Sequence, residues 1–228
     1  MAARGGLIVA IDGPVGAGKS TAARLLAARL GYRHIDTGAM YRALALKARY
    51  LGVDWGDGPA LRALLERMDL AFVPGPAGQR LTVDGEDWTE AIRHPEVDRG
   101  ASFVSVHAAV REAMVARQRA LGAGGGVVMD GRDIGTQVFP DADVKFYLDA
   151  SPEERGRRRH AEALARGEQA TLEAVQAEIR DRDARDMGRA AGPLRAAADA
   201  VRLDSTGLSP EAVVEGMLAV VRQRQRGG

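Results

Sequence analysis

The chain contains no cysteine, which excludes disulfides, thiolate metal sites and a cysteine nucleophile, and suits a reducing cytoplasm, the expected location. Asparagine is absent as well, so the side-chain amide of an N-K-x-D guanine-reading motif is missing, which argues against a switch GTPase. Lysine is nearly absent: of 32 basic side chains only Lys19, Lys47 and Lys145 are lysine, so each of them stands out against arginine. Long apolar runs are also lacking. Leu7 to Ile11 spans five residues, and Met1 to Gly6 is too short and too polar for a signal peptide, so no membrane association is expected. A formal net charge of +1 supplies no field to gather nucleic acid, and no nucleic-acid partner is expected.

What is present is an ordinary globular composition on 228 residues, enough for one sizeable core with an insertion, and a monomer is the expectation. Leu7 to Ile11 reads as a buried parallel strand. From Lys19, the residues Ala22, Ala23, Leu25, Leu26 and Leu30 recur at helical spacing, and Gly31 can stop that helix. Arg33 to Asp36 reads as a second strand and Met40 to Leu51 as a helix. The pattern then changes. A helix at Ala60 to Met68 is followed by strands at Leu70 to Val73 and Arg80 to Val83 around the turn-rich Pro74 to Gln79, then by helices at Pro95 to Ser105 and Ala108 to Leu121. Strands return at Val127 to Asp130, Val144 to Asp149 and Val201 to Asp204, with helices at Leu172 to about Asp186 and Ser209 to Val221. These five candidate parallel strands imply an α/β core, with 36–105 inserted into it.

Gly13-Pro14-Val15-Gly16-Ala17-Gly18-Lys19-Ser20 matches G-x-x-x-x-G-K-S between a strand and a helix, the context a phosphate-binding loop requires. Glycines let backbone N–H groups converge on phosphate oxygens, and the helix N-terminus adds its dipole. In this reading Gly13 through Thr21 bind ATP, Lys19 follows the β- and γ-phosphates, and the Ser20 hydroxyl faces Mg²⁺. Asp130, at the end of an apolar strand, is the carboxylate expected to face the same ion. Gly124-Gly125-Gly126 has no lysine after it and reads as a flexible connection.

Further strings carry a resemblance: Ile11-Asp12-Gly13-Pro14, Asp36-Thr37-Gly38-Ala39-Met40-Tyr41-Arg42, Asp130-Gly131-Arg132-Asp133-Ile134-Gly135-Thr136 and Arg182-Asp183-Ala184-Arg185-Asp186. With these in order, the chain from about Leu7 to Val221 resembles the bacterial cytidylate kinases, within the adenylate-kinase-like nucleoside monophosphate kinases. The resemblance implies a P-loop three-layer α/β/α fold with a five-stranded parallel sheet. The core would take 1–35, 106–154 and 171–228, the monophosphate-binding insert 36–105, and a short lid 155–170. It implies phosphorylation of CMP, and of dCMP, by ATP and Mg²⁺.

Residue by residue, the resemblance implies that Arg42, Arg132 and Arg182 hold the monophosphate and the transferring phosphoryl, a task suited to bidentate guanidinium groups. Lys19, Arg132 and Arg182 are then the catalytic set. Thr37 stands where the family often has serine. Ser102, Arg111 and Asp133 fall where cytosine is read, Asp186 where the ribose is met, and Arg189 near the same pocket; Arg158 lies in the lid-like segment and would meet ATP. Without the resemblance, Asp181 with Arg185 and Arg182 with Asp186 are ordinary i,i+4 pairs on a solvated helix face. Against that, Arg182, Asp186 and Arg189 recur at i, i+4, i+7, which would put all three on one helix face. The basic run Arg155, Arg157, Arg158, Arg159 would ordinarily be a solvated helix face or a nucleic-acid patch; near-neutral net charge weakens the second, and a short lid closing over ATP is the favoured reading. A P-loop kinase of another nucleoside monophosphate or small metabolite and an ATP-binding regulator remain the alternative readings.

Overall fold

The structure is a computed structural model describing residues 5–75 and 78–227. Along the chain the elements are β1 (Ile8–Asp12), α1 (Lys19–Leu30), β2 (Arg33–Asp36), α2 (Thr37–Tyr50), α3 (Gly58–Arg67), β3 (Leu70–Gly75), β4 (Gly78–Val83) and β5 (Glu86–Asp87). They continue as α4 (Pro95–Val104), α5 (Ala108–Gly122), β6 (Val127–Gly131), β7 (Val144–Asp149), α6 (Pro152–Ala165), α7 (Leu172–Gly188), β8 (Val201–Asp204) and α8 (Pro210–Gly227). Two compact units result: Met1–His34, Gly122–Gly188 and Gly192–Gly228 form one, and Ile35–Leu121 with Arg189–Ala191 form the other.

Five strands among the described residues make a sheet in the order β2-β6-β1-β7-β8, of which β2 belongs to the first unit only as far as His34. β1 pairs in parallel with both β6 and β7, and β7 in parallel with β8. Every residue of β1 and β6 is buried, as apolar runs covered on both faces require. Ala22 and Leu26 of α1 pack with Met217, Leu218 and Val221 of α8 against Val9, Ile11 and Phe146 of the sheet. The order reverses at β1, between β6 and β7, and the crevice beyond such a strand's carboxyl end is where open α/β sheets bind ligands. The α/β class and the five strands agree with the sequence reading.

The second unit gathers α2, α3, α4 and α5 around Met40, Leu44, Leu61, Leu65, Val97, Val104, Val110 and Met114, and the antiparallel β3-β4-β5 sheet adds Leu81 and Val83. This unit reaches Leu121, beyond the expected boundary at residue 105, because Val110 and Met114 of α5 are fully buried in the same core. The turn expected at 74–79 includes residues 76 and 77, which lie outside the described residues. β4 pairs with β3 from Leu70 to Gly75, so both strands run longer than expected, and β5 adds a third. Helix α2 starts at Thr37, three residues before the expected Met40, because the Asp36 carboxylate accepts the Ala39 N–H at 3.0 Å and caps it.

Candidate active site

Between β1 and α1 the chain turns through the glycine-rich loop. Gly13 has φ 151°, and a Cβ there would lie 1.9 Å from the Leu148 carbonyl oxygen, so only glycine passes. Gly18 caps α1 in the left-handed region, at φ 87°. The loop's carbonyls are held by donors from separate elements. Lys19 Nζ donates to the Pro14 oxygen at 2.6 Å, Arg155 Nη1 to the Val15 oxygen at 3.2 Å, and the Ser205 hydroxyl to the Ala17 oxygen at 3.0 Å. With those carbonyls engaged, the loop's N–H groups are left to bind an anion, aided by the α1 N-terminus.

Lys19 is buried at 6% exposure. Burial, together with the guanidinium groups of Arg132 and Arg182, pushes its ammonium well below the usual lysine value, and Asp130 and Asp186 oppose that shift. Such a cation gains most from an arriving polyphosphate. Ser20 donates to Asp130 Oδ2 at 2.6 Å, and His34 Nε2 meets Asp130 Oδ1 at 2.7 Å. Burial alone would raise the Asp130 carboxyl, but His34, Ser20 and Lys19 outweigh it and hold the group below its ordinary range. Ser20 and Asp130 are adjacent hard oxygen donors, a set that could hold Mg²⁺ with phosphates completing its shell.

Arg132 donates from Nε to Asp186 Oδ2 at 2.9 Å and from Nη1 to the Gly131 oxygen at 3.2 Å. Arg132, Arg182 and Asp186 all act electrostatically on Lys19, so the structure brings the three predicted catalytic cations together in one unit. Asp133 is buried and immediately precedes a π-type turn at Ile134–Val138, which the sequence did not indicate. Arg158, on α6, donates from Nε to Glu154 Oε1 at 2.8 Å, from Nη1 to Ser205 Oγ at 2.9 Å and from Nη2 to the Ser205 carbonyl at 2.7 Å. It therefore lies beside the loop, since Ser205 is the residue holding Ala17. Arg155, grouped by sequence with the lid arginines, is instead buried beneath the loop.

In the second unit, Asp36 accepts from Arg42 Nη2 at 2.7 Å, and Arg42 Nη1 stands 3.9 Å from Asp98 Oδ1. Thr37 and Ser102 are buried, and the Ser102 carbonyl accepts the Ser105 hydroxyl at 2.9 Å. Arg111 is also buried; it donates to the Ser105 carbonyl at 3.4 Å, with its guanidinium 5.8 Å from the centre of the Tyr41 ring. One expectation is corrected. Helix α7 ends at Gly188, so Arg189 is not on it and only Arg182 and Asp186 lie within the helix. Arg189 belongs to the second unit. Sequence alone assigns no role to Asp12, His34, Asp183 or Ser205, and places Arg155 in the lid; of the four, only Asp12 and Asp183 stand inside a recognised motif.

A glycine-rich phosphate loop at a parallel-sheet switch point, with a buried lysine, a Ser–Asp oxygen pair and convergent arginines, defines a P-loop phosphotransferase. The family model described as cytidylate kinase matches residues 9–223. The chain is 51% identical to the cytidylate kinase of Geobacter sulfurreducens, covering 99% of this chain and 97% of that protein. It is 54% identical to the cytidylate kinase of Geobacillus kaustophilus, covering 95% and 96% respectively. The chain belongs to the cytidylate kinase family. A solved structure of an uncharacterized protein from Eubacterium ventriosum shares the fold, with a TM-score of 0.52, 9% identity and coverage of 95% of this chain and 98% of that one.

Proposed function

We propose that this protein transfers the γ-phosphoryl of ATP to CMP, and to dCMP, in a Mg²⁺-assisted reaction. The observation that carries the proposal is a family match over residues 9–223, which takes in the phosphate loop and the whole second unit. The acceptor phosphate is already a nucleophile, so no general base is needed and the work is alignment and charge neutralisation. Residues Gly13 to Thr21 bind the ATP phosphates, with Arg158 beside them. Lys19 meets the β- and γ-phosphates, and Arg132 and Arg182 hold the acceptor monophosphate while taking up charge on the transferring group. Ser20 and Asp130 hold Mg²⁺, which supplies charge neutralisation across the phosphates when bound.

Arg42 binds the acceptor phosphate, Thr37, Asp186 and Arg189 line the acceptor site, and Ser102, Arg111 and Asp133 read the base. The second unit acts as the monophosphate-binding insert and residues 155–170 as the lid, whose closure excludes water. A monomer acting in the cytoplasm completes the reading. No helix among the described residues is long and apolar enough to cross a membrane. A coupled assay of ADP formation over all ribo- and deoxyribonucleoside monophosphates tests the proposal. The expected result is the highest kcat/KM with CMP; ADP formation that ignores every monophosphate would overturn it.

A further inference from the structure

The segment bearing Arg132 and Asp133 has to leave β6 in a fixed direction if those side chains are to meet an acceptor. β6 ends at Gly131, paired with Asp12 of β1. The chain then passes through Asp133, at φ −150° and ψ 28°, into the π-type turn. The first N–H groups of a turn have no partner within it. Here both are taken by one side chain: Ile134 N–H donates to Asp12 Oδ1 at 2.7 Å and Gly135 N–H to Asp12 Oδ2 at 2.8 Å. A Cβ at Gly135 would lie 3.3 Å from Asp12 Oδ2 and 3.1 Å from Lys145 Cδ, so the approach is close. Asp12 is only 3% exposed.

We infer that Asp12 is a positioning residue for the acceptor half of the reaction, its ionised carboxylate gripping two consecutive N–H groups and thereby setting the segment from which Arg132 and Asp133 project. The inference rests on the acceptor roles proposed above for those two residues. Only a carboxylate suits the grip, because each oxygen must accept and neither can donate. The charged and titratable groups around it are Lys19 of α1, Asp133 before the turn, and Tyr147 and Lys145 on β7. Burial pushes the Asp12 carboxyl up to about 6; the Gly135 and Ile134 N–H groups restrain that rise, Asp133 adds to it and Lys19 opposes it. A proton on either oxygen removes one acceptor, so the grip loosens as pH falls through that value.

Asp12→Asn keeps the shape but turns an amide NH₂ toward one of the N–H groups. It is expected to lower kcat/KM for CMP roughly tenfold or more, while the Kd for ATP stays within about threefold. Equal losses for CMP and ATP, or unimpaired CMP use, would overturn the role. Arg132→Ala, assayed beside it, separates two failures. Full CMP use by Arg132→Ala overturns the acceptor reading; impaired use there with unimpaired Asp12→Asn overturns the role of Asp12. Should Asp12→Asn not fold, the ligand-free wild-type protein still decides, and leaving CMP out avoids the second ionisation of its phosphate near pH 6. The Ile134 and Gly135 amide NMR shifts should titrate together with a midpoint near 6. Separate midpoints for the two amides, or fast unprotected hydrogen exchange at both, would overturn the inference.

Discussion

Arg155 and Asp183 form a buried ion pair, Nη1 to Oδ2 at 2.6 Å, and the same Nη1 holds the Val15 carbonyl of the phosphate loop. Asp183 Oδ1 is buried with no hydrogen-bond partner among the described residues. Breaking one side of such a pair leaves an uncompensated charge and costs about 3–5 kcal/mol, whereas replacing both partners with apolar groups is often neutral. Asp183→Leu alone should therefore lower Tm by roughly 6–20 °C for a chain of this size. The double variant Arg155→Met, Asp183→Leu should recover most of that loss yet keep a raised KM for ATP, because Val15 has lost its donor. Thermal unfolding and ATP titration of the three proteins check this; recovery of both quantities together would make the pair a packing feature alone.

Lys19 is both the principal cation of the loop and a buried charge held below its ordinary value near 10.5. Lys19→Ala should lower kcat by at least ~10²-fold at saturating ATP and Mg²⁺, by comparison with removing one preorganised charge stabiliser. The pH dependence of stability has a definite sign. Between the lowered folded value and the ordinary unfolded one, the unfolded chain binds more protons, so stability of the ligand-free enzyme rises with pH. Lys19→Ala should flatten that rise. Denaturant unfolding across the window, for wild type and variant, measures it, and parallel curves would contradict the burial of an ionisable Lys19.

His34 and Ser20 between them engage both oxygens of Asp130. Removing a group that orients a metal-binding carboxylate costs on the order of tenfold or more in metal affinity. His34→Leu should raise the Mg²⁺ concentration needed for half-maximal rate by about tenfold. His34→Gln, whose amide N–H can reach Oδ1, should restore most of the affinity. Mn²⁺ binding followed by electron paramagnetic resonance in the presence of ATP gives a readout independent of turnover. Equal binding by all three proteins would leave His34 without a part in metal binding.

The elements most legible in the sequence are those whose cause is local. Helix α1 announces itself through Ala22, Ala23 and Leu26 at helical spacing and through Gly31, which the structure places in the left-handed region at φ 67°. The start of α2 is not legible locally, because Asp36 ends a strand and caps a helix at once, so its strand character masks its capping role. The π-type turn has no sequence period to reveal it, being fixed by Asp12 from 122 residues away. The same distance hid the site's supports: Val15 and Arg155 are 140 residues apart, and His34 and Asp130 are 96 apart. Nothing in local pattern links such pairs, so charge runs such as Arg155 to Arg159 look uniform although Arg155 is buried and Arg157 exposed.

Asp133 offers the sharpest test of base choice. Its side chain makes no capping bond to the turn that follows, which removes one bland explanation for a carboxylate at that position. It is also 5% exposed, so an unmatched polar contact there is not relieved by water. Cytosine presents an exocyclic amine, a donor, where uracil presents a carbonyl, and an ionised carboxylate can only accept. Placed against that edge, Asp133 should favour CMP over UMP by about 1–3 kcal/mol, or roughly tenfold to a hundredfold. Asp133→Asn, whose amide donates as well as accepts, should narrow the CMP:UMP ratio of kcat/KM chiefly by losing CMP. If Asp133 serves instead to balance a neighbouring arginine, both substrates should suffer alike and the ratio should hold. Measuring kcat/KM for CMP and UMP with both proteins decides between the two, and an unchanged ratio would remove Asp133 from the base-reading set.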